Sequence, residues 1–275
     1  FDAKLAELAG SIARDDTLEP AYRALALSLP GEADIARDIG QGIDPDAIFV
    51  AREALARTIA MANHEIFSAL YASLADNGPF TPDSASAGRR ALRNLLPDGA
   101  ALAARHFNAA TNMTDRAAAL TVLAHRHAGS AQAEEALSAF EMRYRGDALV
   151  LDKWFQIQAG VPGPLTVENV RALMQHPAFS IANPNRVRSL IGTFSSANQT
   201  GFHLSGGQGY RFFAETVLEV EKRNPQVAAR LATALRSWRS LEPVRQNKAR
   251  QALLQIANAD NLSADLRDIV ERTLV

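Results

Sequence analysis

The segment that most clearly indicates the fold reads NPNRVRSLIG and occupies residues 183–192. Asn183 is suited to accept a hydrogen bond from a free backbone N–H as an N-cap, and Pro184 fits the first helical position because its φ is already set. The segment therefore predicts a helix that begins at this proline. Proline also stands at the expected first turn of helices at 44–45, 81–82, 224–225 and 242–243. Their recurrence indicates a chain of many helices.

The helical interpretation extends over the whole chain. Alanine, leucine and arginine dominate and strand-like alternation is almost absent, which favours helices. Because the connections are short, neighbouring helices are expected to run antiparallel. The sequence therefore predicts an all-α fold, an α-solenoid or superhelical array of antiparallel helix pairs, whose repeat has no fixed period. The predicted helices are 1–13, 19–29, 32–39, 45–75 (a break near Asn63 is left open), 83–95, 98–109, 114–127, 131–144, 147–159, 166–175, 184–195, 208–222, 225–239, 243–257 and 264–274.

The domain organisation is predicted to be simple. Residues 1–275 form one helical domain that is long enough for a large core, and the turn-rich connector at 76–82 is the best candidate for an internal seam. The chain begins with Phe1 rather than methionine, so we expect a piece of a longer polypeptide. No apolar run reaches the roughly 18–20 residues of a membrane span, so no membrane partner is expected.

The composition excludes several classes of function. With 29 basic and 30 acidic residues, the formal net charge is −1, so nothing drives the chain generally toward nucleic acid or anionic membranes. The sequence contains no cysteine. This excludes disulfides, thiolate zinc sites and a cysteine nucleophile, and it fits a reducing compartment.

Three predicted helices carry the expected core. The helix at 147–159 is apolar nearly all round, so we expect it at the centre of the array. The helix at 208–222 is rich in aromatic and branched residues, and the helix at 225–239 has one apolar face. The residues that define these two apolar faces are Phe212, Phe213, Val217 and Val220, and Val227, Leu231, Ala234, Leu235 and Trp238.

The histidines and glycines do not form a self-sufficient catalytic motif. His64 begins an H-E-x-x-H pattern, but its fifth position is Ser68, so the second zinc ligand is missing. His125 and His127 are two positions apart and cannot grip one metal from a helix. The glycine-rich stretch at 206–209 follows no strand, which argues against a nucleotide-binding loop. The remaining isolated histidines, predicted to be surface or capping residues, are His106, His176 and His203.

Arginines at helix starts are the remaining functional signal. Arg186 and Arg188 follow an N-cap, where the positive helix dipole makes each exposed cation cost roughly 0.3–1 kcal/mol. They lie on nearly opposite faces, so at most one should reach a given cavity. Gln226 and Arg230 are four positions apart and share a face. The alternative is that these arginines bridge adjacent helices. The basic run at 236–250 is predicted to be a solvated helix face.

Several short strings of the sequence resemble those of a known protein family. Several strings, in order, are similar to the carboxy-terminal domain of bacterial aminopeptidase N, the alanyl aminopeptidase of the gluzincin zinc peptidases. The resemblance spans nearly the whole chain. Beside residues 183–192, the strings are DPDAI (44–48), REAL (52–55), NMTD (112–115), LDKWF (151–155), RNPQVAARL (223–231) and NLS (261–263).

The resemblance implies a noncatalytic role within a larger enzyme. The family combines a β-rich amino-terminal domain, a thermolysin-like zinc domain, a small β-sandwich and a helical solenoid, and this chain resembles the last. The H-E-x-x-H zinc site and the G-A-M-E-N loop of the zinc domain are not in this sequence. The resemblance therefore implies no catalytic or metal-binding residue and no cofactor here, but zinc in the parent enzyme. The implied partners are the catalytic domain of the same polypeptide and peptide substrates, in the cytoplasm.

The resemblance also implies which residues meet the substrate. The domain is expected to close over the zinc domain around an internal cavity. Gln226 corresponds to a residue near the pocket for the first substrate side chain, and Arg186, Arg188 and Arg230 correspond to arginines that line the cavity. An alternative of a different class remains open: a stand-alone helical-repeat scaffold that binds a protein partner. An upstream H-E-x-x-H in the encoding gene would favour the peptidase interpretation.

Overall fold

The structure is a computed structural model that describes residues 2–76, 78–97 and 99–275. The regular secondary structure of these ranges is helical, and one isolated bridge pairs Ile43 with Leu241. A π-helical turn, Arg188–Gly192, joins α12 to α13, and the 3₁₀ turns Thr233–Leu235 and Trp238–Ser240 follow α16. The α-helices are α1 (Asp2–Arg14), α2 (Pro20–Leu27), α3 (Glu32–Ile39), α4 (Pro45–Ala62), α5 (His64–Ser73), α6 (Ser84–Leu95), α7 (Ala100–Ala109), α8 (Met113–Arg126), α9 (Ala131–Tyr144), α10 (Ala148–Ala159), α11 (Thr166–Leu173), α12 (Pro184–Val187), α13 (Thr193–Ala197), α14 (Gln199–Phe202), α15 (Gln208–Glu221), α16 (Pro225–Ala232), α17 (Pro243–Ala257) and α18 (Ala264–Leu274).

Tertiary contacts divide the chain into two compact units. The first consists of Phe1–Gly31 and Phe49–Phe140, and the second of Glu32–Ile48 and Glu141–Val275. The predicted seam at 76–82 lies inside the first unit, away from these divisions, and its Asn77 is outside the described residues, as are Phe1 and Asp98 at two predicted helix starts. The single-domain assignment stays a prediction. None of the described helices combines the length and apolar character needed to cross a membrane.

In the first unit, a buried asparagine breaks the long helix predicted at 45–75. Asn63 lies between α4 and α5, and its Nδ2 donates to the carbonyl oxygens of Ala6 at 2.8 Å and Ile59 at 3.0 Å. Gly10 of α1 is needed here because a Cβ at this position would lie 2.2 Å from Asn63 Oδ1. The break therefore follows from a tertiary hydrogen bond that ties α1 to the α4–α5 junction.

The core of the second unit is a cluster of aromatic side chains, as the sequence predicts for the helix at 208–222. Phe202 packs edge-to-face against neighbours at ring-centroid distances of 5.2–5.6 Å, a favourable geometry for aromatic pairs. Leu151 and Phe155 of α10 are buried, so that helix supplies core as expected. The fully buried aromatic residues of this core are Phe155, Phe194, Phe202, Tyr210, Phe212 and Phe213.

Two further predicted helices, both in the second unit, differ from the observed ones. The helix predicted at 225–239 ends at Ala232 and continues as 3₁₀ turns. Thr233 contributes to this end, because its Oγ1 donates to the Arg230 carbonyl at 2.7 Å and its N–H bonds the same carbonyl. The helix predicted at 184–195 contains the π-helical turn. The short helix α14 was not predicted.

Two buried histidines correct the sequence analysis. His106 and His203 were expected at the surface or as caps, yet their exposed fractions are 3% and 7%. Each has a hydrogen-bonded tyrosine: Tyr71 Oη lies 2.8 Å from His106 Nδ1, and Tyr210 Oη lies 2.7 Å from His203 Nδ1. Burial, with the charge of Arg245 as a smaller cause, lowers the pKa of His203 to about 3. Of the three, only His176 caps, accepting from the Ala178 N–H at 3.1 Å.

Arg245 is a further correction, because the run at 236–250 was expected to be a solvated face. Its side chain is 5% exposed and forms ion pairs with Asp44 at 3.3 Å, with Asp46, and with Glu242 at 3.1 Å. Its Nε donates to the His203 carbonyl at 2.5 Å. Within the second unit, Arg245 therefore holds the start of α4 against α17.

Candidate functional site

The second unit contains a groove of about 470 Å³, within the range of small-ligand pockets. One wall is the segment that runs through the π-helical turn into α13, and the other is α16 with the 3₁₀ turn that follows it. We call this the arginine groove. Its lining residues are Arg188, Gly192, Thr193, Ser195, Ser196, Gln226, Val227, Arg230, Leu231, Thr233 and Ala234.

Capping fixes the beginning of the first wall. Asn183 Oδ1 accepts from the backbone N–H groups of Asn185 at 2.9 Å and Arg186 at 3.4 Å, with Pro184 at the first helical position. The sequence analysis predicted this start. The π-helical turn then adds a residue to one turn, which rotates the positions after it by about 100° relative to a regular helix. Such turns are frequent at functional sites.

Arg186 lies in the interior rather than in the arginine groove. Its Nε donates to the Ala178 carbonyl at 2.9 Å, and its Nη1 donates to the Ala148 carbonyl at 2.8 Å and to Asp152. Its guanidinium carbon also lies 5.5 Å from the centroid of the Phe155 ring. The bridging alternative weighed for these arginines therefore describes Arg186.

Arg188 lies in the arginine groove and lines its first wall. The side chain is exposed, and both of its protein partners are neutral. Its Nε donates to the Pro184 carbonyl at 3.2 Å, and its Nη2 donates to Asn185 Oδ1 at 2.6 Å. These bonds orient the guanidinium without neutralising its charge, so it can still bind an anion.

Gln226 and Arg230 lie together on α16. Asn224 caps this helix by accepting from the Val227 N–H at 3.1 Å. Both side chains are exposed and line the arginine groove. In the part of the chain that the structure describes, neither has a hydrogen bond or an ion pair. Their polar groups are therefore available to a ligand or another domain.

The hydroxyl groups of Ser195 and Ser196 also line the groove. The sequence did not predict them as site residues. Ser195 Oγ and Ser196 Oγ donate to the Gly192 carbonyl at 3.2 and 2.7 Å. Because their protons are committed to the backbone, their oxygens can serve a ligand as acceptors. Their spacing after Gly192 is not a recognisable motif. In the structure they line the same groove as Gln226 and Arg230.

The charge of the described lining of the groove is positive, which favours an anionic ligand. Among the described residues that line it are two arginines and no aspartate, glutamate or histidine. Two like charges that share a concave surface repel each other, and an anionic ligand relieves that repulsion. A carboxylate can bind a guanidinium through two parallel hydrogen bonds. The groove also lacks a nucleophile paired with a base.

The described histidine and carboxylate side chains do not fit a zinc site. No three His, Asp or Glu side chains within residues 2–76, 78–97 and 99–275 converge in a way that could hold a metal ion. A catalytic zinc needs three such protein ligands and an open position. We therefore derive no chemical step through a metal on this chain.

Comparison with known proteins relates the fold to a family. Residues 1–275 match the family described as a domain of unknown function (DUF3458_C) with ARM repeats. This description agrees with the helical structure and confirms the predicted all-α solenoid class.

The similar proteins are aminopeptidases. The chain is 38% identical to aminopeptidase N of Caulobacter vibrioides over 99% of the chain and 32% of that protein. It is 36% identical to aminopeptidase N of Escherichia coli over 94% of the chain and 30% of that protein. The structure of Legionella pneumophila aminopeptidase A in complex with aspartic acid has a TM-score of 0.87 and 25% identity, covering 98% of this chain and 33% of that one. The chain thus spans about a third of these relatives, and it belongs to the aminopeptidase N family as its C-terminal helical domain.

Proposed function

We propose that the chain is a noncatalytic domain of a zinc aminopeptidase that removes N-terminal amino acids from peptides. In this proposal the domain covers the catalytic domain of the same polypeptide, and it shapes the access and binding of peptide substrates. Zinc belongs to the catalytic part of the parent enzyme. A cytoplasmic location is part of the proposal and is supported by the absence of cysteine.

The observation that carries the proposal is the arginine groove. Arg188 and Arg230 are exposed there, and no carboxylate is among the described lining residues. A peptide held by its amino end at a catalytic centre directs its carboxylate away from that centre. A pair of guanidinium groups is suited to hold that distal charge.

Each residue of the groove has a distinct proposed role. Gln226 contacts the first substrate side chain through its amide. Arg230 holds the distal backbone or carboxylate of the peptide, and Arg188 adds to the positive field from the opposite wall. We leave Arg186 out of the proposed site, because its guanidinium is occupied by Asp152 and two carbonyl groups.

The test is a comparison of substrates in the full-length enzyme. Arg230→Ala should raise KM for a peptide with a free carboxylate more than for the same peptide as a C-terminal amide. A small chromogenic alanine amide should be affected least. For the peptide with a free carboxylate, the expected loss of binding free energy is about 1–3 kcal/mol, which is typical of a hydrogen bond to a charged group. Arg236→Ala is a matched control, because Arg236 is exposed and is not among the lining residues.

Two outcomes would contradict this proposal. One is an equal effect of Arg230→Ala on the acid, the amide and the chromogenic substrate, since no carboxylate would then be recognised. The other is an unchanged KM with a lowered melting temperature, which would make Arg230 structural. A parallel Gln226→Ala variant should change the preference for the first residue and leave the acid-to-amide ratio unchanged.

A further inference from the structure

A second concave site lies in the first unit, separate from the arginine groove. It has a volume of about 160 Å³, similar to an engineered cavity of about 150 Å³ that holds one benzene molecule. We call it the apolar pocket. Its walls come from the end of α2, from α4 and α5, from the α6–α7 connection and from α8. Most lining side chains are apolar: Leu27, Leu29, Ala56, Ile59, Ala60, Phe67, Leu95, Leu96, Pro97 and Leu102.

The outer wall of the pocket lacks the packing expected of a solenoid helix. Between Phe49 and Ser73, which includes most of α4 and all of α5, Asn63 is the one buried residue. Leu95, which lines the pocket from α6, is 42% exposed. A concave surface lined by partly exposed apolar side chains is typical of sites that receive an anchor residue from a partner.

Tyr71 forms one wall of the pocket, and a chain of hydrogen bonds through His106 and Asn94 holds its hydroxyl group in place. Asn94 Nδ2 donates to Asp115 Oδ1 at 2.9 Å, so Asn94 Oδ1 faces His106 and accepts from its Nε2 at 2.7 Å. Burial, with Arg93 as a smaller cause, lowers the pKa of His106, so the ring is neutral near pH 7. Its Nδ1 is then the acceptor for the Tyr71 hydroxyl. A wall fixed by such a chain is preorganised for a ligand.

The charged groups at the pocket are cationic. Arg52 is partly satisfied, because its Nε donates to the Pro30 carbonyl at 2.9 Å and its Nη1 lies 3.4 Å from Glu53. Arg126 is exposed and, in the described ranges, has no hydrogen bond or ion pair. No aspartate or glutamate is among the described lining residues. The complementary ligand therefore combines an apolar group with an anion.

We propose that the apolar pocket binds a peptide segment that presents one phenylalanine- or leucine-sized side chain beside a carboxylate. The side chain fills the space between α4, α5 and Tyr71, and the carboxylate pairs with Arg126 and the free edge of Arg52. The carboxylate is that of the peptide's C-terminus. This site is independent of the proposed function of the arginine groove.

The first experiment titrates the 275-residue chain, carrying Arg230→Ala to weaken the other groove, with three probes followed by NMR chemical shifts. N-acetyl-phenylalanine should bind at least about tenfold more tightly than N-acetyl-phenylalaninamide, the factor for one charged hydrogen bond. N-acetyl-aspartyl-phenylalaninamide carries its carboxylate on a side chain and should bind no more tightly than N-acetyl-phenylalaninamide. If it binds as tightly as N-acetyl-phenylalanine, the assignment of the carboxylate to a C-terminus is wrong. Equal affinity of N-acetyl-phenylalanine and its amide would overturn the proposal.

A second experiment uses variants to test whether N-acetyl-phenylalanine binds in the apolar pocket. Ala60→Trp should fill the pocket and weaken the binding of N-acetyl-phenylalanine at least about tenfold. Ala54→Trp, at an exposed position of the same helix, should leave this affinity unchanged. Arg126→Gln should remove the preference for the acid over the amide, and Arg57→Gln should preserve it. Circular dichroism verifies folding of each variant. Unchanged affinity in both folded Ala60→Trp and folded Arg126→Gln would contradict the site.

Discussion

Arg186 and Arg188 are two positions apart in one helical segment, yet they belong to different regions of the molecule. Arg186 is 6% exposed and contacts a carboxylate, two carbonyl groups and an aromatic ring. Arg188 is exposed and shares the arginine groove with Arg230. The difference shows that an arginine at a helix start stabilises the fold where it meets a buried acceptor, and otherwise stays available to a partner.

Arg245 is a second buried arginine, and it forms ion pairs with three carboxylates. Those carboxylates are more exposed than the partner of Arg186: the side chains of Asp44 and Asp46 are 48% and 53% exposed, against 13% for Asp152. Removal of the arginine would therefore strand a buried charge in one case and a hydrated charge in the other. The interior arginines should differ in the stability that they provide.

The largest effect is expected from Arg186→Met. This variant leaves the Asp152 carboxylate and two carbonyl groups without their partner, so the free energy of unfolding should fall by about 3–5 kcal/mol. Urea unfolding followed by circular dichroism measures it. Arg188→Met is the matched control and should change stability by no more than about 0.5 kcal/mol. Equal losses in the two variants would remove the distinction between interior and groove.

A smaller loss is expected from Arg245→Met. Water can solvate Asp44 and Asp46, but the His203 carbonyl loses its donor, so we expect a decrease of about 2–3 kcal/mol, the upper range for hydrogen bonds to a charged group. The control is Arg250→Met, which changes an exposed arginine of the same helix. If Arg245→Met cost as much as Arg186→Met, exposure of the carboxylates would not govern the penalty.

The pH dependence of the free energy of unfolding tests whether His203 is buried in its neutral form. The pKa of His203 is lowered to about 3 in the folded chain, whereas an unfolded histidine titrates near 6.5. Between these values the unfolded state binds more protons, so stability falls as pH decreases from about 6.5 toward 3. In urea unfolding at pH 7 and pH 4, the stability lost on acidification should be smaller in His203→Gln. A parallel decline in both proteins would contradict this assignment.

The sequence by itself determined the local features of this protein. Proline after a capping residue set the starts of α12 and α16 at Pro184 and Pro225, because both signals act within one helical turn. The i, i+4 spacing of Gln226 and Arg230 placed both on one face. The opposite facing of Arg186 and Arg188 predicted that one groove would receive only one of them, as the arginine groove does.

The tertiary structure alone decided which polar groups are buried and which surfaces come together. His106, His203 and Arg245 have no sequence pattern that distinguishes them from surface residues, because their burial depends on elements distant in the chain. Arg245, for example, pairs with Asp46 of α4. The groove likewise joins Ser195 and Ser196 to Gln226, which lies about 30 positions further along the chain. Burial and long-range pairing are set by the whole fold, whereas capping and helical spacing are set by neighbours in the sequence.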